Sequence, residues 1–407
     1  MKRLLLISYA FAPAGNVGSF RVTRLSKYLV RLGWQVDVVC AQSSVYELID
    51  ENERIPDGVA VYETNVFGAR VGNGTFFSDT RSMWRRMLGT LAIPDNKIGW
   101  FPFALQTAKK LMKVNAYDAV LSSSFPYTAH IVGRFLRLRS DIPWVVDLRD
   151  PWVGYAGFKE PAWKRWIQRQ FEKSVVGDAD CVLANTHSMC SLLQKRYAYL
   201  DRRKFMVLTN GYDIEDFDAV PVCSRDNFTV GFAGRLYHGL AIESFLAAVA
   251  VARSNIEEIR LLFIGDFTDQ PDFRALLRKY DLLDRSFLES HLGHKETLAK
   301  LADVDALLIL NYQTDGAQWC IPYKTYESIY LNKPLIVVSP MHGALPDLLK
   351  GYAFIADPLD SDGIQHAIQS TRHAAQEHHE FPAMNRFDFS KIAQDLHARL
   401  VNLSHPR

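Results

Sequence analysis

Leu4-Leu5-Leu6-Ile7-Ser8-Tyr9 runs without a charge into Ala10-Phe11-Ala12-Pro13-Ala14-Gly15-Asn16-Val17-Gly18-Ser19-Phe20-Arg21. From there Val22, Leu25, Tyr28, Leu29 and Leu32 recur near the helical period until Gly33. A short continuous apolar run is the pattern of a strand covered on both faces, as in a parallel sheet, and a glycine after the last periodic residue is a natural helix stop. The stretch therefore reads as one strand, a glycine-bearing loop and one amphipathic helix. Met1-Lys2-Arg3 ahead of the apolar run, with Ala10-Phe11-Ala12 behind it, also has the outline of a secretory leader. Continuity with the loop and helix favours the buried first strand.

The same alternation continues outward. Further strands are expected at Val36–Cys40, Ala119–Ser122, Trp144–Leu148, Cys181–Ala184 and Met206–Leu208, which completes one doubly wound α/β domain. After Asn210-Gly211-Tyr212-Asp213 the sequence turns acidic and loop-like through Pro221, as a hinge would. A second series then places strands at Phe228–Phe232, Arg260–Ile264, Ala306–Leu310, Leu335–Val338 and Ala353–Ile355. Ile392, Leu396 and Leu400 mark a closing helix over Phe389–Val401. Residues 1–213 are expected to form the first Rossmann-like domain, 214–385 the second, and 386–407 the helix that closes the chain. At 407 residues two domains of ~100–200 residues each are the natural division.

Composition excludes more than it selects. With 48% hydrophobic and 23% charged residues, a net charge of +2 and no low-complexity segment, the chain is neither disordered nor fibrous, and no field implies nucleic acid. The five cysteines, Cys40, Cys181, Cys190, Cys223 and Cys320, are scattered without metal spacing and read as reduced thiols. His373, His378 and His379 lie on a polar helix-like stretch, and no metal is expected there. No apolar run reaches the ~18–20 residues that span a bilayer. Between Arg81 and Lys113, Trp84, Arg85, Arg86, Trp100, Phe101, Phe103, Lys109 and Lys110 interleave rings with cations. That stretch reads either as helices packed on the sheet with solvated cations or as a contact with the inner membrane.

Five segments carry groups suited to chemistry. The loop holding Gly15 and Gly18 precedes a helix N-terminus, a natural anion cradle, although the two glycines stand three apart and do not make the dinucleotide fingerprint. Asp147, Arg149 and Asp150 follow a buried strand at the edge where ligands of open α/β sheets bind. Asp147 and Arg149 are the candidate catalytic pair, as base and electrostatic support; alternatively Arg149 bridges the two aspartates. Gly234-Arg235 and Gly265-Asp266 end two strands of the second series, and the arginine fork suits a diphosphate. In Ile321–Pro334, Pro322 suits a helix start and Asn332-Lys333-Pro334 a helix stop, so Lys324 and Glu327 share one helical face. A lysine near a helix N-terminus is opposed by the dipole and wants an anion, while Glu327 suits a ribose diol. An ordinary ion pair between the two is the competing reading. Thr325 and Tyr326 lie in the same candidate grip, Tyr323–Glu327.

These pieces, Asp147–Trp152, Asn210–Asp213, Gly234-Arg235 and Tyr323–Glu327, resemble in order the family 4 glycosyltransferases, closest to a bacterial branch with a D-x-R-D-P-W segment. The resemblance spans nearly the whole chain. It implies the GT-B fold, two Rossmann-like domains facing across a cleft, with the acceptor held by the first, a sugar nucleotide of UDP or GDP by the second, and the last helix crossing back. It further implies no metal or other cofactor, a cytoplasmic setting or the cytoplasmic face of the inner membrane, and transfer to a lipid-linked or growing glycan in surface-polysaccharide synthesis, with retention. Three positions depart from the common pattern. Leu240 stands where a lysine is usual, Trp319 where the first of two glutamates is usual, and Asp147 replaces a histidine. A sugar-nucleotide epimerase and a donor-binding inactive partner subunit are the alternatives.

Overall fold

The computed structural model describes residues 2–67, 92–154, 161–217, 227–236, 240–252, 259–290, 292–312, 315–377 and 384–404. Contacts divide the chain into two units, Met1–Asn210 with Phe389–Arg407, and Gly211–Asp388.

The first unit holds strands β1 (Lys2–Ser8), β2 (Trp34–Ala41), β3 (Val59–Thr64), β4 (Ala119–Ser123), β5 (Trp144–Leu148), β6 (Cys181–Ala184) and β7 (Phe205–Val207). They form one sheet in the order β3-β2-β1-β4-β5-β6-β7, with every pair parallel. Every residue of β4, β5 and β6 is buried, so both faces of the sheet are covered, as an uninterrupted apolar strand requires. The connecting helices include α1 (Val17–Arg31), α2 (Phe101–Val114), α3 (Thr128–Arg137), α4 (Ala162–Asp178) and α5 (His187–Arg196). The closing helix, Phe389–Ser404, buries Phe389, Ile392, Ala393, Leu396 and Leu400. It is tied to the first unit by Trp34 Nε1 to His397 Nδ1 at 2.9 Å and Arg399 Nη2 to Arg203 O at 2.8 Å.

The second unit repeats the plan with β8 (Thr229–Ala233), β9 (Arg260–Ile264), β10 (Ser286–Glu289), β11 (Ala306–Leu310), β12 (Leu335–Val338) and β13 (Phe354–Ala356). Their order is β10-β9-β8-β11-β12-β13, again all parallel. Helices α6 (Ile242–Ala252), α7 (Pro271–Lys279), α8 (His294–Ala302), α9 (Lys324–Leu331), α10 (Ala344–Leu349) and α11 (Ser361–Gln376) connect them. In each sheet the strand order reverses beside the first strand, between β1 and β4 and between β8 and β11. Groups at the carboxyl ends of those strands are therefore the ones a ligand would meet.

The second unit begins at Gly211 rather than after Asp213. Tyr212 N donates to Phe387 O at 2.9 Å, and Tyr212 bridges Asp388, so Tyr212 is anchored on the second unit, while Asn210 N donates to Asn185 Oδ1 at 2.7 Å in the first.

Cys40, Cys181 and Cys190 are buried free thiols and Cys320 is half-buried, while Cys223, His378 and His379 lie outside the described residues. His373 is exposed and meets Glu377 at 3.2 Å on the same helix. Residues 81–91 of the basic–aromatic stretch also fall outside. Within the remainder, Trp100 is a core residue whose Nε1 donates to Thr64 Oγ1 at 2.7 Å, and it presents no surface to a membrane.

Candidate active site

At the carboxyl edge of the first sheet, Asp147 and Arg21 form a closed buried pair. Arg21 donates from Nη2 to Asp147 Oδ1 at 2.9 Å and from Nε to Oδ2 at 3.0 Å, and Ser123 Oγ donates to Oδ2 at 2.7 Å. The same guanidinium reaches Leu208 O at 2.8 Å, Thr209 O at 2.6 Å and Asn210 Oδ1 at 3.1 Å. Burial pushes the Asp147 carboxyl up, but the charge and hydrogen bonds of Arg21, with the Ser123 hydroxyl and the Arg149 charge, outweigh it and hold it below the usual carboxylate range. A base must accept a proton. This carboxylate has both oxygens engaged and favours its ionised form, so the geometry assigns it to bracing α1 against the chain leaving β7 and corrects its expected role as base. Arg21 supplies a two-point bridge to Asp147.

Arg149 lies instead against the glycine loop: a Cβ at Gly18 would fall 2.7 Å from its Nη1. Asn16 caps α1, its side chain accepting from Ser19 N at 3.0 Å. Gly18 and Arg149 thus combine a helix N-terminus with a guanidinium, a pairing suited to an anion. Gly15 does not join them, because its N–H is spent on Leu48 O at 3.0 Å and its Cα faces Asp50.

His130, on α3, is wholly buried, with Nδ1 at 2.9 Å from Ser122 Oγ. Burial pushes it down to about 3, and it stays neutral.

In the second unit the charges are arranged differently. Lys324 opens α9. Its Nζ donates to Ala233 O at 3.0 Å and lies 3.5 Å from the centroid of Phe232. Phe267 packs edge-on against Phe232 and Phe263 lies tilted beside it, so the ammonium sits against an aromatic cluster. Burial lowers its pKa from 10.5 to about 7, with Glu327 opposing the shift. The two residues face the same way but form no ion pair, which removes the competing reading. Glu327 is held by His294 at the start of α8, with Nε2 and Oε1 2.6 Å apart, and His294 Nδ1 lies 4.0 Å from Asp216 Oδ2.

Gly234, at φ +122, ends β8 within reach of Lys324; a Cβ there would be 3.6 Å from Nζ. Arg235 follows, exposed at the strand end. Gly265 has a fold-level cause, because a Cβ would meet Gly234 O at 2.2 Å at a φ of +148. Asp266 is exposed at the start of the next turn. Tyr326 is a core residue, fully buried and edge-on to Phe387 at 5.1 Å, and the expectation that it grips a ligand is corrected. Thr325 is fully buried beside it. Leu240 packs against the apolar core of the unit, so the position usual for a lysine faces inward here.

Lys324, Glu327, Gly234 and Arg235 are therefore gathered at the carboxyl ends of β8 and the start of α9. Sequence reading missed Arg21, Phe232, His294 and Asp216. For Arg21 a signal existed, since a cation leads the stripe continued by Leu25, Tyr28 and Leu29 and must be buried with it. For His294 there was none, because its partner is 33 residues away.

Residues 18–211 match the model of a family described as a glycosyl transferase 4-like domain. The whole chain is also similar to solved structures. A sucrose-phosphate synthase from Thermosynechococcus elongatus aligns with a TM-score of 0.70 at 16% identity, covering 99% of both chains. WaaG, a glycosyltransferase involved in lipopolysaccharide biosynthesis, aligns at 0.59 and 13% over 98% of this chain and 97% of its own. A protein of Listeria monocytogenes assigned as a UDP-N-acetylglucosamine 2-epimerase aligns at 0.58 and 11% over 98% and 96%. No curated protein sequence matches the chain. At these identities the likeness carries the fold, which is the GT-B type.

Proposed function

We propose that the chain transfers a hexose-type unit from an NDP-sugar, with UDP or GDP as the nucleotide, to a hydroxyl of a lipid-linked or growing glycan in bacterial surface-polysaccharide synthesis. The observation that carries this reading is Lys324. An ammonium packed on the Phe232 ring, accepted by one carbonyl and opposed by a helix N-terminus, is a charge without an anion, and a diphosphate supplies one. Lys324 and Arg235 then neutralise the diphosphate as it leaves, which asks for no metal. Glu327 accepts from the ribose hydroxyls with its position fixed by His294. Arg149 and Gly18 supply a second anion-binding element on the first unit. Retention follows from the family resemblance.

An epimerase is the second reading, favoured by the fold shared with the Listeria monocytogenes protein. Product analysis after incubation with UDP- and GDP-sugars and a mixed glycan acceptor separates the possibilities. A sugar newly linked to the acceptor, with free nucleoside diphosphate, supports transfer. An altered sugar nucleotide formed without acceptor supports epimerisation. Donor bound and returned intact, with no turnover, marks the inactive partner that Leu240 and Trp319 raise.

A further inference from the structure

Between Ala119 and Gly133, through β4, the turn after it and the start of α3, every residue is buried except Phe125. Its ring is 49% exposed, while its polar neighbours Ser122, Ser123, Ser124, Thr128 and His130 are withdrawn from solvent. That inverts the usual preference, which buries the ring and wets the hydroxyls. The place is not arbitrary either. β4 pairs with β1 where the strand order reverses, so the turn after it stands where a ligand of the first unit would be met.

The outward ring has a built seat. It meets Tyr127 edge to face at 5.5 Å, and Tyr127 stacks on Trp152 at 4.4 Å with the planes 2° apart. Each supporting ring is fixed by its polar end: Tyr127 OH donates to Pro151 O at 3.3 Å, and Trp152 Nε1 donates to Gln168 Oε1. The turn is also bonded on both sides of one short segment. Ser124 N and Ser124 Oγ each donate to Asp147 O at 3.2 Å, and Tyr127 reaches Pro151, so Arg149 and Asp150, both half-buried, are bracketed beside Phe125. A flat apolar face, a guanidinium and a carboxylate thus share one place on the sheet edge.

We propose that Phe125 is a specificity-determining residue whose ring stacks on the terminal sugar of a glycan acceptor. The inference rests on the transfer reading above and deepens it. A pyranose ring has an apolar face of C–H groups and a rim of hydroxyls, so it asks for a flat ring against the one and a few placed polar groups against the other. Phe125 supplies the first. Asp150 can accept from the hydroxyls and Arg149 can donate to them. The base of a nucleotide also offers a flat face, and the experiment separates the two sources.

The test is saturation-transfer NMR of the full chain with the methyl glycosides of glucose, galactose, mannose, rhamnose and N-acetylglucosamine, and separately with UDP and GDP. It needs no turnover, so a failed stacking site and a failed transfer reaction give different results: the first shows here, the second in product analysis. The parent is compared with Phe125→Leu, which keeps the apolar bulk and loses the flat face, and with Phe125→Trp, which keeps both. The side chain is half exposed, so thermal midpoints should match the parent. At least one glycoside should bind the parent through its C–H face, about fivefold or more weakly in the leucine variant and undiminished in the tryptophan variant, with nucleotide binding the same in all three. No glycoside bound by the parent, or equal binding in the leucine variant, would overturn the proposal. Equal losses in both variants would overturn it too, by marking the ring as a structural support for Tyr127. A loss confined to UDP or GDP would assign the ring to the base of the donor and equally overturn it.

Discussion

The carboxyl edges of the two sheets solve the same problem in opposite ways. In the first unit Arg21 and Asp147 close on each other, and the remaining donors of the arginine are spent on Leu208, Thr209 and Asn210. In the second, Lys324 has one carbonyl and one ring face, and its neighbour Glu327 is held elsewhere by His294. The first arrangement is structural because its charge is already answered. The second leaves Lys324 against a ring, where burial lowers its pKa to about 7, and it is the setting for which we propose an anion.

The largest way to break the contrast lies in the closed pair. Asp147→Ala leaves a buried guanidinium unanswered and should cost about 3–5 kcal/mol of stability, read as a fall in denaturant midpoint. Asp147→Asn should be destabilised as well. An Asp147→Asn protein of parental stability that binds donor but turns nothing over would restore the aspartate to catalysis.

A smaller effect comes from pH. The folded-state pKa of Lys324, about 7, lies below the ordinary 10.5. Between those values the unfolded chain holds a proton that the folded one lacks, so this group adds stability as pH rises through that window. Donor binding has the opposite sign. A diphosphate recruits the ammonium, so affinity should fall by up to about tenfold per pH unit above 7. Calorimetry in buffers of different ionisation enthalpy should show proton uptake. Lys324→Arg, which stays charged, should flatten the profile.

The smallest expected effect is at His294. Its loss frees Glu327 to rotate and should raise the donor KM about fivefold, about 1 kcal/mol, with kcat little changed. Equal losses in kcat and kcat/KM would instead place His294 in the transition state.

What could be read in the sequence followed burial. β5, β6, β9, β11 and β12 lie where their continuous apolar runs end, because each is covered on both sides. β3 and β10 each form a sheet edge and are only partly buried; Ser286–Glu289 has only two apolar residues together, whereas Val59–Tyr62 is a four-residue apolar run that the reading passed over. The same divide holds at the sites. Lys324 and Glu327 stand three apart on one helix, and spacing alone placed them together. The Arg21–Asp147 and His294–Glu327 pairs join residues 126 and 33 positions apart, which the fold brings together and no local pattern records. Tyr326 shows the converse, since membership of a motif gave no hint that its ring points into the core.

The most direct test of Lys324 as the anchor of a diphosphate is calorimetric titration of the parent and Lys324→Ala with UDP and GDP at pH 7. The parent should bind one of the two, and the variant should bind it about 10–100-fold more weakly, as expected for loss of a charge-assisted contact of about 1.5–3 kcal/mol, without losing thermal stability. Binding of equal strength in the two proteins would contradict the account.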